Sequence, residues 1–357
     1  MPTMRKNYLD YAKGIGIVLV VWGHSGIGLN KYISSFHMPL FFIISGLLYS
    51  DAKSWVSFFI RKVKSLYMPY FGWNALVLLL AILIGAISMR PDKIPVVILN
   101  IALTAAKVDR LLGATWFLAT LFWVALAYRT IAGFVYDPRA RPVFMGIVCL
   151  FGAYIAFGQT VSCVISKTVI LGLFFAIGVL ARQYGACLAS LSSPMLAAGG
   201  FALAMWIASF SKSIIGRNVY SDPLLFIVAA CLASYGVLRL CVSLERTKSQ
   251  LLIPLKKLLS ALGMHSADIM IWHFVCFKIV IALQLALAGK SCSLRDIMNY
   301  YPCYDSGHGW GYVYLLVGLF GSLAFGYVLR LCGTKKLSAL LFDPLAERLD
   351  VSARLTH

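Results

Sequence analysis

Long hydrophobic runs make up most of the chain, and short breaks of Pro, Gly and charged residues separate them. A bilayer core of about 30 Å requires about 20 apolar residues in one helix. The pattern therefore predicts an all-α fold, a polytopic membrane helix bundle of about ten transmembrane helices. The ten candidate spans are roughly residues 11–30, 36–50, 69–89, 114–134, 143–159, 166–182, 194–211, 222–241, 267–288 and 310–331.

Three further segments carry apolar residues but do not form full spans. Residues 94–106 are apolar and short, which predicts an interfacial or re-entrant piece. Residues 54–67 and 251–264 mix basic and apolar positions at helical spacing, which is typical of helices lying at a membrane surface. We expect residues 1–332 to form one membrane domain and residues 333–357 a short cytoplasmic tail.

The composition excludes a soluble or disordered chain. Hydrophobic residues make up 61% of the 357 positions and charged residues only 13%. The net charge of +19 lies mostly in the breaks between spans, where Lys and Arg set membrane orientation, so nucleic-acid binding is not expected. With the N-terminus inside, 20 Lys and Arg residues fall on the cytoplasmic side and 10 on the outer side. This bias predicts that both termini are cytoplasmic.

The nine cysteines form no CxxC pair and no Cys/His cluster with metal spacing, so we expect no metal site. Cys292 and Cys303 fall in one predicted external loop and are candidates for a disulfide, although other pairings stay open. The first apolar run is followed by no small-residue cleavage site. It therefore predicts a retained helix and not a signal peptide.

The first span carries two polar side chains that are costly in a membrane, Lys13 and His24. They are eleven residues apart, which in a helix is about 20° beyond three turns and a rise of about 16 Å. Both should project from one face, with the cation near the inner edge and a titratable base deeper in. The alternatives are an interfacial lysine neighbouring Asp10 and a histidine hydrogen-bonded between helices.

Two further groups of polar residues flank the next spans. His37 precedes Pro39 at the start of the second span, near the outer mouth, where it is a candidate for positioning a hydroxyl substrate or for capping the helix. Arg61 and Lys64 lie three residues apart, on one helix face at the cytoplasmic start of the third span. They predict an anion site, with lipid-headgroup contact as the alternative.

These residues form an ordered set of motifs that resembles acyltransferase family 3 of integral membrane proteins. The match begins with Asp10-x-x-Lys13 and His24 and continues with the run Phe36–Phe42 and Ser45-Gly46. It then includes Arg61-x-x-Lys64, Pro69, Trp116-Phe117-Leu118 and Ile271-Trp272-His273, so that it covers residues from about 7 to about 331. The family often has Arg at the position of Lys13, and Lys keeps the charge but loses the bidentate geometry.

The resemblance implies a stand-alone sugar O-acyltransferase of the bacterial plasma (inner) membrane. Such proteins move an acyl group, usually acetyl, from cytoplasmic acyl-CoA to a sugar hydroxyl of a surface polysaccharide or a lipid-linked glycan. We expect a catalytic set of His24, Lys13 and Asp10, with His24 as the general base because neutral imidazole titrates near physiological pH. An acyl-histidine intermediate is an open alternative.

The same resemblance distributes the substrates over the remaining residues. Arg61 and Lys64, with Lys13, are expected to bind the phosphates of acetyl-CoA (or another acyl-CoA). His37 and Trp116 are expected to hold the sugar, and for Trp116 a place in the interfacial aromatic belt is the alternative. His273 is expected to be structural or to contact the thioester side.

Two other classes of function fit the outline of the sequence less well. A secondary transporter or flippase of a glycan precursor would also have ten spans with buried Lys and His, but no internal repeat is evident. A scaffold in a polysaccharide assembly complex would not need the side chains of His24 and Lys13.

Overall fold

The computed structural model describes residues 7–50, 54–85, 87, 89–104, 109–157, 164–185, 193–215 and 219–331. Helices dominate these residues, and the one strand pair among them is a short antiparallel ladder. The predicted tail, residues 333–357, lies outside the described residues. The chain divides into two compact units: unit 1 comprises residues 1–49 and 131–267, and unit 2 comprises residues 50–130 and 268–357.

Unit 1 begins with the helix that carries the first motif. Its elements are α1 (Asn7–His24), α2 (Asn30–Ser34), α3 (His37–Leu47), α9 (Ala140–Phe157), α10 (Val164–Gln183), α11 (Pro194–Phe210), β1 (Ser213–Ile214), β2 (Val219–Tyr220), α12 (Pro223–Arg246) and α13 (Ile253–Met264). Helix α1 packs against α13, α12 and α3.

Two glycines let α1 and α13 approach until their backbones touch. A Cβ atom added to Gly14 would lie 2.2 Å from the carbonyl oxygen of Leu259, and one added to Gly263 would lie 1.9 Å from that of Asp10. Leu259 and Leu262 are buried, whereas Lys257 on another face of α13 is exposed. The predicted amphipathic helix is thus present, and its apolar face is buried against α1.

Unit 2 contains the longest continuous helix. Its elements are α4 (Trp55–Lys62), a π turn (Val63–Tyr67), α5 (Met68–Leu83), α6 (Ile94–Thr104), α7 (Asp109–Leu112), most of α8 (Trp116–Phe134), α14 (Ser266–Leu287), α15 (Leu294–Asn299), α16 (Trp310–Leu316), a second π turn (Val317–Gly321) and α17 (Ser322–Leu331). Helices α14 and α17 are joined by an ion pair between Asp268 and Arg330.

The prediction of a separate surface helix over residues 54–67 is wrong. These residues form the first half of one 29-residue apolar helix, Trp55–Leu83. The sequence reading took Pro69 as a break because proline has no N–H to donate to the preceding turn. The π turn directly before it changes the hydrogen-bond pattern there, and the helix continues.

The described residues contain six helices that are long and apolar enough to cross a membrane: Trp55–Leu83, Trp116–Phe134, Val164–Gln183, Pro223–Arg246, Ser266–Leu287 and Trp310–Leu331. Two shorter apolar helices, Ala140–Tyr154 and Pro194–Phe210, lie at two more predicted spans. The first two predicted spans correspond to α1 and the 11-residue α3, which do not belong to either group. The membrane helix class is confirmed, and the count of ten stays a prediction.

The expected disulfide between Cys292 and Cys303 is also wrong. Both residues are free cysteines, the first exposed and the second half-buried.

Candidate active site

Helix α1 carries the Lys13–His24 face without interruption. It is continuous from Asn7 to His24, so the offset of about 20° and the rise of about 16 Å expected for ideal helical geometry apply. Lys13 Nζ lies 3.1 Å from Asp10 Oδ1, and the two side chains are 25% and 8% exposed. The cation at the inner part of this face is therefore held by a buried carboxylate one turn away.

The position of Asp10 is fixed by the packing of α1 on α13. Its carbonyl oxygen is the atom nearest to Gly263, where no side chain larger than hydrogen fits. The backbone N–H of Tyr8, one turn earlier, donates to Glu245 Oε1 of α12 at 3.3 Å. Three helices thus set the height at which the Asp10–Lys13 pair sits in unit 1.

His37 is held in one orientation by a main-chain group. Its Nδ1 atom lies 2.6 Å from the carbonyl oxygen of Ile33. A carbonyl oxygen can only accept, so Nδ1 carries the hydrogen and donates, and in the neutral ring Nε2 is left as the proton acceptor. The end of α1 reaches the same region, because a Cβ atom on Gly23 would lie 3.6 Å from Ile33 Cγ2. Unit 1 therefore brings the ends of α1 and α2 and the start of α3 together, with His24 and His37 at that end.

In unit 2, the predicted anion-binding residues lie where α4 passes into the π turn. Arg61 is exposed, and its guanidinium carbon lies 5.7 Å from the centroid of the buried Phe58 ring. Lys62 Nζ lies 5.5 Å from the same centroid, so these two cations share one aromatic ring. The sequence reading overlooked Lys62, although its spacing of four residues from Phe58 is a helical contact spacing.

Lys64 is half-buried and lies inside the π turn. The wider turn has more residues per revolution than an α-helix, so Lys64 is rotated away from the face that simple i,i+3 spacing gives it relative to Arg61. The basic group at this position of unit 2 is thus Arg61, Lys62 and Lys64 and not a pair on one α-helical face.

Trp116 begins α8 and is 8% exposed. The preceding Thr115 accepts a hydrogen bond from Asn74 Nδ2 at 2.9 Å and donates to the carbonyl of Leu112 at 2.7 Å. Asn74 is fully buried in α5 and also donates to the carbonyl of Tyr70. Asn74 therefore fixes the turn before Trp116, a role that the sequence reading missed although a lone Asn in an apolar span is a signal.

A second connection holds α6 beside the same helix. The hydroxyls of Tyr70 and Tyr67 donate to the carbonyls of Ile101 and Ala102, at 2.5 and 2.9 Å. These tyrosines lie near the start of the apolar part of Trp55–Leu83, and not at its far end. The segment predicted as interfacial or re-entrant is thus a helix that packs along α5.

His273 is fully buried in α14. Its Nδ1 atom lies 2.9 Å from the carbonyl of Ile269, and its ring lies 4.3 Å from that of Phe274. Of the predicted residues, unit 1 holds Asp10, Lys13, His24 and His37, and unit 2 holds Arg61, Lys64 and Trp116. In the part of the chain that the structure describes, no group of three or more His, Cys, Asp or Glu is arranged to hold a metal ion.

The chain was compared with protein-family models, curated proteins and solved structures. The model of acyltransferase family 3, described as an acyltransferase domain, matches residues 6–331. No curated protein and no solved structure matches.

Proposed function

Because the chain belongs to acyltransferase family 3, we propose that it moves an acetyl or related acyl group from cytoplasmic acyl-CoA to a sugar hydroxyl. The family and the apolar helices make it a membrane acyltransferase. The proposed acceptor is a surface polysaccharide or a lipid-linked glycan, and the proposed location is the bacterial inner membrane with both termini cytoplasmic.

The observation that carries the proposal is the polar face of α1. A cation, paired with a buried carboxylate, lies about 16 Å along the helix from a histidine on nearly the same face. An acyltransferase that receives a polyanionic donor on one side and a sugar on the other needs an anion contact and a base separated in this way.

We propose His24 as the general base. Its neutral imidazole takes the proton of the sugar hydroxyl while the oxygen attacks the thioester carbonyl. The C–S bond then breaks, the acyl group stays on the sugar oxygen, and the CoA thiolate receives the proton from the imidazolium. Proton transfer by a positioned base contributes about 10²–10⁴-fold to such a reaction. Transfer through an acyl-histidine would use the same residue as nucleophile.

The donor phosphates are assigned to Arg61 and Lys64, with Lys62 beside them. Charge-assisted hydrogen bonds from such side chains are the strong contacts available to phosphate. Lys13 contributes its charge deeper in, where Asp10 limits its freedom to move. We assign His37 to the acceptor, because its Nε2 is the ring nitrogen left to accept a sugar hydroxyl. Trp116 exposes little of its indole, and we assign it to the wall of the acceptor site.

Transport of a glycan precursor is the alternative from a different class. Family membership favours the enzyme. A transporter would move its cargo without acyl-CoA, so dependence on this donor separates the two functions.

The acceptor is tested by mass spectrometry of surface glycans from cells with and without the gene. We expect a sugar unit to lose about 42 mass units on deletion, which is the difference between an acetyl ester and the free hydroxyl. Restoring the wild-type gene should restore the mass, and restoring the His24→Ala variant should not. Unchanged glycan masses after deletion would contradict the proposed acceptor class.

A further inference from the structure

The segment between α14 and α16, residues 288–309, folds back along α14. Gln284, near the end of that helix, donates from Nε2 to the carbonyl of Asp305 at 2.9 Å. Lys278 Nζ lies 2.5 Å from the carbonyl of Tyr300. Lys278 precedes the helix end at Leu287 by nine residues, a distance of about 14 Å along the axis. The loop therefore descends along the helix as the chain is followed back from Asp305 to Tyr300.

The tip of the segment reaches the middle of α14. The ring of Tyr301 lies 5.0 Å from that of Phe274, and Phe274 lies 4.3 Å from His273. Phe274 is about 20 Å from the end of the helix at 1.5 Å per residue. Since α14 is one of the helices long enough to cross a membrane, Tyr301 lies at the depth of the hydrocarbon core.

Buried polar groups fix this re-entrant segment from three sides. The hydroxyl of Tyr314 donates to Gln284 Oε1 at 2.5 Å and accepts from the backbone N–H of Tyr304 at 3.1 Å. Arg110 of α7 donates to the carbonyl of Met298 at 3.0 Å. Lys278, Gln284 and Tyr314 are 9%, 5% and 0% exposed, so three side chains that are costly in an apolar helix are used to hold one loop.

The start of the segment is stabilised by its own hydrogen bonds. Ser293 caps α15, and the hydroxyls of Ser291 and Ser293 donate to the carboxylate of Asp296 at 2.6 and 2.5 Å. These bonds hold the pKa of the Asp296 carboxyl below its usual range. The segment is thus an ordered element and not a slack connection.

Non-helical backbone at membrane depth is tolerated only when it is buried in protein or lines a water-filled cavity. Tyr301 is 42% exposed, so protein does not enclose this part of the segment. A phenol hydroxyl turned toward lipid would lose its hydrogen bonds to water at a substantial cost. The tip therefore lines a water-filled vestibule within the apolar depth of unit 2.

We propose that residues 294–305 form an acceptor loop, on which the exposed ring of Tyr301 stacks against a pyranose ring. This inference rests on the proposed function, because it names the contact that receives the sugar. A pyranose has one face of C–H groups, which packs on an aromatic ring, and hydroxyls around its edge that need polar neighbours and water. The loop supplies both an open ring and a wet surface. Lys278 is a positioning residue that holds the carbonyl next to this ring.

The test uses purified protein in lipid vesicles, labelled acetyl-CoA, and O-deacetylated surface polysaccharide from the cells that make the protein. Tyr301→Ala should raise the KM for the polysaccharide about tenfold, the usual loss when a buried aromatic contact is truncated. The KM for acetyl-CoA should stay unchanged. Tyr301→Phe keeps the ring and should behave like the wild type. Tyr312→Ala, which removes another exposed tyrosine (58%) of unit 2, is the matched control and should have no effect.

A second variant tests the anchor. Lys278→Met removes the hydrogen bond to Tyr300, and Lys278→Gln restores a donor on a shorter side chain. We expect Lys278→Met to raise the KM for the polysaccharide with the acetyl-CoA KM unchanged, and Lys278→Gln to recover part of the loss. A purely structural role would lower kcat and both kinds of binding together, along with the amount of protein in the membrane.

The outcomes separate this inference from the proposed function. If the wild type transfers label and Tyr301→Ala has the wild-type KM for polysaccharide, the acceptor loop is wrong and the enzyme activity stands. If Tyr301→Phe loses as much as Tyr301→Ala, the stacking contact is wrong. If the wild type transfers no label from acetyl-CoA, the proposed function and this inference both fail.

Discussion

Lys13 shares its charge with a carboxylate that helix packing holds in place. The ion pair to Asp10 is local, at i,i+3, and the helical period was sufficient to predict it. The hydrogen bond from His37 to the carbonyl of Ile33 was not predictable in the same way. It depends on how the turn between α2 and α3 places the ring, and hydrophobic periodicity contains no information about that turn.

Lys62 and Asn74 show a second limit of the sequence reading. Lys62 was counted as one more inside charge, because its special feature is the Phe58 ring it shares with Arg61, which is a tertiary arrangement. Asn74 lies in an otherwise apolar run, and its partner Thr115 is 41 residues away. Contacts of this range are set by packing and not by local pattern.

The basic group of unit 2 makes a prediction about donor binding. In the double variant Arg61→Gln/Lys64→Gln, we expect the KM for acetyl-CoA to rise about tenfold or more, because each lost hydrogen bond to a charged group is worth about 1.5–3 kcal/mol. The KM for the polysaccharide should stay nearly constant. Steady-state kinetics on both substrates checks this.

Arg90→Gln is the control for that experiment, since Arg90 is an exposed cation that pairs with Asp92 away from this group. An equal rise in both KM values would assign Arg61 and Lys64 to folding instead of donor binding.

At the scale of elements, most helices could be predicted from the hydrophobic runs, and their boundaries less well. The predicted break at Pro69 failed because a π turn can adapt the hydrogen-bond pattern to a proline. The close packing of α1 on α13 also has a sequence basis, in Gly14 and Gly263, but the glycines alone do not say which helices they join.

This close packing predicts a large effect of one methyl group. Gly263→Ala should lower the stability of the purified protein by at least about 1–3 kcal/mol, because the new Cβ would overlap the carbonyl of Asp10 and α1 would have to move. Acyl transfer should fall as well, since Asp10 and Lys13 move with the helix. Thermal unfolding in detergent and the transfer assay measure the two effects.

Gly146→Ala in α9 is the matched control. No atom lies within 4 Å of the new Cβ there, and alanine favours a helix over glycine by about 1 kcal/mol. We expect a Tm equal to or above that of the wild type. A Gly263→Ala protein as stable as this control would show that the two helices are not in backbone contact.

At the scale of the molecule, the membrane class and the family were accessible from the sequence because both depend on composition and ordered motifs. The division into two units that each combine an early and a late part of the chain was not. Such a division depends on which spans pack together, and all spans are similarly apolar. The re-entrant course of residues 288–309 was missed for the same reason.

The distribution of Lys and Arg predicts the orientation of the chain. A fluorescent protein fused to the C-terminus should fluoresce, because it folds in the cytoplasm, and alkaline phosphatase inserted after Gly289 should be active outside. The reverse pattern would place the acceptor loop on the donor side and contradict both the orientation and the assignment of substrates.

The central claim is that His24 catalyses acyl transfer from a CoA thioester to a sugar, and one measurement addresses it directly. Labelled acetyl-CoA and O-deacetylated surface polysaccharide are added to vesicles that contain equal amounts of wild-type or His24→Ala protein. We predict label in the polysaccharide with the wild type and a rate lower by about 10²–10⁴-fold with the variant. A His24→Ala protein that transfers label at close to the wild-type rate would contradict the account.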